Sequence, residues 1–551
     1  MHNKKHKRTQ SATPAHVGGL LGARRLMSLL TAGIVTVCVS AQQPKIVVGI
    51  IVDGLRQEYI DLLRNEFGKD GFNRLLNQGL VFENVDYGPG LDATAAAAVV
   101  MTGASPSVNG IPGSLIFDEA ARRNMPVFDD GKTLGNFTNE TYSPAALRTT
   151  TVTDEARIAG AGVTYAHAIA TDPQMAMVLG GHSANSAVWI NDKTGNWAGS
   201  TAYKEFPLPA SNTNRLSALT VRLDTMQWAP AKPAAAQALL PDHLSRYPFR
   251  HTFGRGNAQR LAAFKNSPLA NREVTRLATE YVKSLQLGQH PGGADVINVA
   301  YTLQPYEFTK TAENRYELID SYIRLDSDIA NLISAAEAQA GRGNALVYLA
   351  ATPPTNVRRR DDEKWNVPSG EFSTRKAISL LNLYLIALHG NGEWVNAYAN
   401  NTFYLNSELA KQQNVPMGQL SEEVADFLKR MSGVERAYTI DAILDGRAPV
   451  EDPQALRRNT VVAHSGDVRI DIVPGWELLD DFNYPGQHNG KVASNALSTA
   501  PAYLLIPGAE PKTVATPVDA RILAPTVARQ LRIRSPNGST VAPASVSMVR
   551  P

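Results

Sequence analysis

Asp53 closes a β-branched run, Lys45–Val52, and is followed at once by Gly54. A short apolar run ended by Asp-Gly predicts a fully buried strand that presents a carboxylate at its carboxyl end. In open α/β sheets ligands sit beyond the carboxyl ends of the strands, so an acid there is placed for a divalent metal or a phosphate. The same acid would also serve as a cap for the helix expected from about Gln57. Asp92, Asp172 and Glu307 fall at comparable positions, and an all-oxygen set with Asp53 would suit Mg²⁺ or Ca²⁺ better than Zn²⁺. Taken singly, each reads as a helix cap or a loop-end carboxylate. Two further clusters carry chemistry-bearing side chains: the pair Asp242-His243, and the stretch RRRDDEKW at Arg358–Trp365. The first resembles a metal-binding pair and the second a phosphate-binding one, but solvated, self-paired loops have the same composition.

The elements that must position these groups alternate along the chain. Strand-like runs at Ala166–Ile169, Ala176–Leu179, Val296–Ala300, Ala345–Ala350 and Tyr503–Ile506 are interleaved with helical patterns such as Val274–Leu285 and Glu317–Ala338. That order predicts an α/β fold, doubly wound, with a largely parallel central sheet and helices on both faces. One domain is expected over residues 42–551, with an inserted cap at about 200–290 and a smaller irregular region at about 355–500. The helix over Ser379–Gly390 is apolar on most sides and reads as core rather than as a membrane contact. No fixed-period repeat is present.

Strand, VDGLR, DGFNRLLNQGLVFENVDY and MTGASPSVNGI, in that order, resemble the opening of the alkaline-phosphatase superfamily, in its bacterial periplasmic alkaline phosphatase and type I phosphodiesterase–nucleotide pyrophosphatase branch. The resemblance continues through SPAALRTTTVTDEARIAG, GGHSANSAVWINDKTGNWAGSTAY, FKNSPLANREVTRLATEYVKSLQLG and ARILAPTVARQLRIRSPNG, spanning Lys45 to Gly538. It implies two zinc ions, with the strand-end acid, here Asp53, as one ligand, and a Thr or Ser nucleophile shortly before the TG turn. Counting back from Thr102, the nucleophile's place falls on Ala93; Thr94 is adjacent and would serve after a one-residue register change.

The other positions that the resemblance implies are filled by different residue types. The Asp-x-x-x-His ligands fall on Gln304 and Phe308, the Asp-His pair on Thr352 and Pro353, and the last His on Pro501. The phosphate-contacting Asn falls on Ser114, and the Lys and Arg on Thr171 and Pro173. His488 lies thirteen residues before Pro501. Asp53 alone is left as a vestigial metal ligand, and one acid cannot hold zinc that needs three or four protein ligands. The expectation is a pseudoenzyme with no cofactor, its cleft or cap serving binding or assembly. The alternative is an active phosphomonoesterase or phosphodiesterase using Thr94 and a rebuilt site for zinc, or for Mg²⁺ or Ca²⁺. A binding protein that keeps a phosphate or sugar pocket without turnover is a third reading, with Arg56 as the nearby cation.

Met1–Ala41 carries Lys4, Lys5, Lys7, Arg8, Arg24 and Arg25 with no acid, then the apolar run Leu26–Val39 closing on Val39-Ser40-Ala41. This predicts a signal peptide cleaved after Ala41, and so a periplasmic protein, with a surface location left open. A lipoprotein signal on Cys38 is the rival, with Val37 preceding it where a small residue is expected. Cys38 is the only cysteine, so the mature chain would be stable without disulfides. Removing those six cations takes the formal net charge from +3 to −3, which argues against nucleic acid as a partner. At 43% hydrophobic and 19% charged residues the full sequence has the composition of a packed globular chain, and no membrane span is expected after cleavage. An unidentified protein or a phosphate ester remains as the candidate partner.

Overall fold

The computed structural model describes residues 43–232, 249–255, 259–308, 315–354, 370–483, 491–492 and 498–548. The expected leader, Asp242-His243, Arg358–Trp365 and His488 lie outside them. The described residues belong to one compact unit, Ala41–Pro551.

An eleven-stranded sheet forms the centre. In chain order its strands are β1 (Ile46–Asp53), β2 (Leu80–Asp86), β3 (Gly135–Asn136), β4 (Ala166–Ile169), β5 (Ser186–Ile190), β6 (Trp197–Ser200), β7 (Asp295–Thr302), β8 (Ala345–Ala351), β9 (Thr499–Leu505), β10 (Lys512–Val514) and β11 (Val518–Asp519). Their spatial order is β10-β2-β9-β8-β1-β7-β4-β5-β6-β3, with β11 beside β2. The five strands from β8 to β5 are parallel, and antiparallel pairing begins at β9 on one side and β6 on the other. Ile46 to Val52 are all buried, as strands covered on both faces require.

The principal helices are α1 (Ala93–Thr102), α2 (Pro173–Gly180), α3 (Pro268–Ser284), α4 (Arg315–Ala340), α5 (Thr374–His389) and α6 (Met417–Leu428). α3 packs with α4, and α1 with α2, giving two separate helical groups against the sheet. The doubly wound α/β architecture expected from the alternation is the one observed.

Three local expectations are corrected. Ala176–Leu179 is not a strand but the second half of α2: Pro173 starts the helix and the Asp172 side chain accepts from the Met175 N–H. A short apolar run does not itself distinguish a buried helix from a strand, and here the capped proline start decides. The expected cap at about 200–290 is largely framework, because its long helix α3 packs on β7 and α4. The expected irregular region at about 355–500 contains instead a folded lobe. Within it, Val395–Ala399, Thr402–Leu405, Val434–Thr439 and Val468–Ile472 form an antiparallel sheet with a hydrophobic core of its own, to which α5 and α6 contribute. On α5, Leu381 and Leu385 enter that core while Leu380, Leu383 and Leu388 remain exposed, so the helix is core on one face only.

Candidate functional site

The pairing of β1 fixes the site. Asp53 lies beside Thr302 of β7, and Val52 beside Ala351 of β8. Residues just past the ends of β7 and β8 therefore meet at the Asp53 carboxylate. Gln304 donates from Nε2 to Asp53 Oδ2 at 2.7 Å, and Thr352 donates from Oγ1 to Asp53 Oδ1 at 2.7 Å. Gly54, at φ +81°, turns the chain away directly below the Gln304 amide. A side chain on residue 54 would be strained there and would crowd that amide.

Both oxygens of the strand-end acid thus accept from neutral donors. Sequence reasoning placed Gln304 and Thr352 at implied ligand positions but did not foresee that they would bond to Asp53. The signal was available: an amide and a hydroxyl are both donors, and both stand one or two residues past a strand parallel to β1. Removing the acceptor leaves those donors without it, so Asp53→Ala is expected to cost about 1–3 kcal/mol of stability, read as a lower urea midpoint.

The remaining implied positions are dispersed into structural roles. Phe308 packs at a tilt against Tyr306, with ring centroids 5.8 Å apart and an interplanar angle of 51°. Pro353 is buried just past β8, and Pro501 is buried within β9. Ser114 donates its N–H to Asp92 Oδ2 at 2.6 Å. Thr171 is half-buried and Pro173 opens α2. At the start of α1, Ala93 is partly exposed and Thr94, the next residue, is 5% exposed.

The all-oxygen cluster is not assembled. Asp92 caps α1 through the Ala95 N–H at 2.9 Å and holds Ser114, while Asp172 caps α2. Glu307 sits in a loop tied to Asn266 through its own N–H. Among the described residues no three His, Cys, Asp or Glu side chains come close enough to share a metal ion. Arg56 lies against the Tyr59 ring and beside Glu58, at 3.4 Å. His182 is held on both sides: Nδ1 faces Asp154 at 3.3 Å and Nε2 faces the Leu147 carbonyl at 3.1 Å. The bond to Asp154 raises its pKa.

A parallel sheet that gathers strand-end side chains around Asp53, inside a doubly wound α/β sandwich, is the alkaline-phosphatase-like class of fold. The family model for type I phosphodiesterase / nucleotide pyrophosphatase matches residues 47–353, more than half of the chain, and the chain belongs to that family. It is 28% identical over 533 residues to a Myroides odoratus protein named calcium-transporting ATPase, covering 91% of this chain and 94% of that one. It is also 28% identical over 524 residues to alkaline phosphatase PhoV of Synechococcus elongatus, covering 90% and 92%. The crystal structure of wild-type alkaline phosphatase PafA shares the fold at a TM-score of 0.78 and 23% identity, covering 91% of this chain and 98% of that one.

Proposed function

We propose that this chain is an exported, non-catalytic member of its family, whose former active-site region serves binding or assembly. The observation that carries the reading is the pair of bonds from Gln304 and Thr352 to Asp53. A metal-ligating carboxylate offers its lone pairs to a cation. Here an amide and a hydroxyl each donate to one oxygen of Asp53, and they stand where the resemblance implies two of the other ligands. The residues at the implied ligand positions, Gln304, Phe308, Thr352, Pro353 and Pro501, do not fit a two-zinc set, since Phe and Pro have no side-chain donor atom at all. No catalytic step is therefore routed through zinc.

The rival reading, ester hydrolysis through Thr94, has a buried hydroxyl and, among the described residues, no group of three metal-ligating side chains in its support. Phosphoryl transfer also needs positive charge at the transferring oxygens, and the implied cation positions hold Thr171 and Pro173. Export rests on the leader sequence; among the described residues no helix is long and apolar enough to cross a membrane.

The test is hydrolysis of p-nitrophenyl phosphate and bis-p-nitrophenyl phosphate by the purified protein and by Thr94→Ala. Equal, background rates are expected. Turnover that Thr94→Ala abolishes would establish the rival reading.

A further inference from the structure

Arg469 is a buried cation whose partners do not account for it. It stands on the strand Val468–Ile472 of the lobe, is 8% exposed, and its Nε makes no hydrogen bond. The nearest acid, Asp471, approaches that nitrogen only to 4.0 Å. That approach is through Asp471 Oδ1; the other oxygen, Oδ2, accepts from the Tyr438 hydroxyl at 2.9 Å and from Arg436 Nε at 3.2 Å. Burying a guanidinium nitrogen without a hydrogen bond is costly, and such a fork is kept where something matches it. Carboxylates and phosphates match it, because both take two parallel N–H donors at once.

The guanidinium is directed at the loop that leads into α1. Its Nη2 lies against Gly90, where any side chain would collide with it. Gly88 and Gly90 have φ of +70° and +75°, and Pro89-Gly90 fits a type II turn, which requires glycine at its third position. Asn459 Nδ2 pins the turn through the carbonyls of Tyr87 and Pro89, at 3.0 and 3.1 Å. The Gly90 N–H makes no hydrogen bond among the described residues. A turn N–H without a hydrogen bond among the described residues and a guanidinium whose buried Nε has none thus lie side by side, three residues before Ala93.

We infer that Arg469 and the Gly88–Gly90 turn form an oxyanion-binding site at the junction of the lobe and the central sheet, taking a phosphate- or carboxylate-bearing ligand. This gives a ligand class to the binding role proposed above, and rests on that reading only for its use in the cell. The site lies outside the positions implied by the family resemblance. Its cation comes from the lobe, a part of the chain beyond the matched residues 47–353.

Calorimetric titration tests it, with inorganic phosphate and phenyl phosphate in one arm and succinate in the other, on wild type, Arg469→Gln, Arg469→Lys, Gly90→Ala and Asp53→Ala. Saturable binding in at least one arm is expected, and the arm that binds identifies the anion. Arg469→Gln should weaken it at least about tenfold, and Arg469→Lys less, since charge survives and the fork does not. Asp53→Ala should bind as wild type does. Gly90→Ala keeps the cation but displaces it, and should also weaken binding; it decides the matter should Arg469→Gln fail to fold. Absence of saturation in both arms, or wild-type affinity in a folded Arg469→Gln, overturns the inference. Turnover of phenyl phosphate would overturn the non-catalytic reading instead, and leave the affinities to judge this one.

Discussion

Thr352→Asp, Pro353→His and Ala93→Thr, introduced together, are expected to create zinc binding in this chain. Thr352 already reaches Asp53 at 2.7 Å, so an acid in its place stands within reach of a shared ion, and residue 353 follows it directly. The resemblance implies an Asp-His pair at 352 and 353 and a hydroxyl at the start of α1; with Asp53 these make three or four protein ligands, the number zinc sites use. Affinity should rise by roughly a thousandfold or more over wild type, since one carboxylate is replaced by a full set. Equilibrium dialysis against buffered zinc measures it. Asp53→Ala in that background should abolish the gain, which separates a shared site from adventitious binding by the new histidine.

Asp328→Asn is expected to stabilise the protein at neutral and alkaline pH. Asp328 lies on α4 facing α3, its Oδ2 has no hydrogen-bond partner, and burial pushes its carboxyl up to about 7, with Arg272 and Arg324 pulling the other way. The sign follows from linkage. Below about pH 4 the carboxyl is protonated folded and unfolded, and nothing is lost. Between about 4 and 7 only the unfolded chain releases the proton, so stability falls as pH rises, and the loss is complete above 7. Asn keeps the shape without the charge. It should raise stability at pH 8 by on the order of 2–4 kcal/mol and leave pH 4 nearly unchanged, read from urea midpoints at the two pH values. An equal shift at both would place the effect in packing rather than in ionisation.

The central sheet was legible because its strands announce themselves locally. Ile46–Val52 is a β-branched run interrupted only by Gly49, Ala345–Ala350 and Val296–Ala300 are short and mostly apolar, and all three lie within the parallel core. The family resemblance put Gln304 and Thr352 at implied ligand positions, and the parallel pairing of β7, β1 and β8 brings both to Asp53. What those residues do there was not legible, because it depends on a carboxylate more than 250 residues away in sequence. Ala176–Leu179 was misread because four apolar residues carry no period; only the cap at Asp172 distinguishes helix from strand. The lobe was missed because its sheet pairs short segments across long gaps, as Thr402 with Arg469, and no local pattern encodes such a partner. Arg469 escaped for the same reason: its burial and its approach to Gly90 exist only in the folded chain.

The proposed reading has the Asp53 carboxylate engaged by protein donors in place of a metal. The most direct measurement is zinc stoichiometry by elemental analysis of the purified protein, after incubation with excess zinc and removal of the unbound ion. Well below about 0.1 zinc per chain is predicted, unchanged in Asp53→Ala. Two zinc ions per chain, the number that the resemblance implies, lost together on Asp53→Ala, would contradict it.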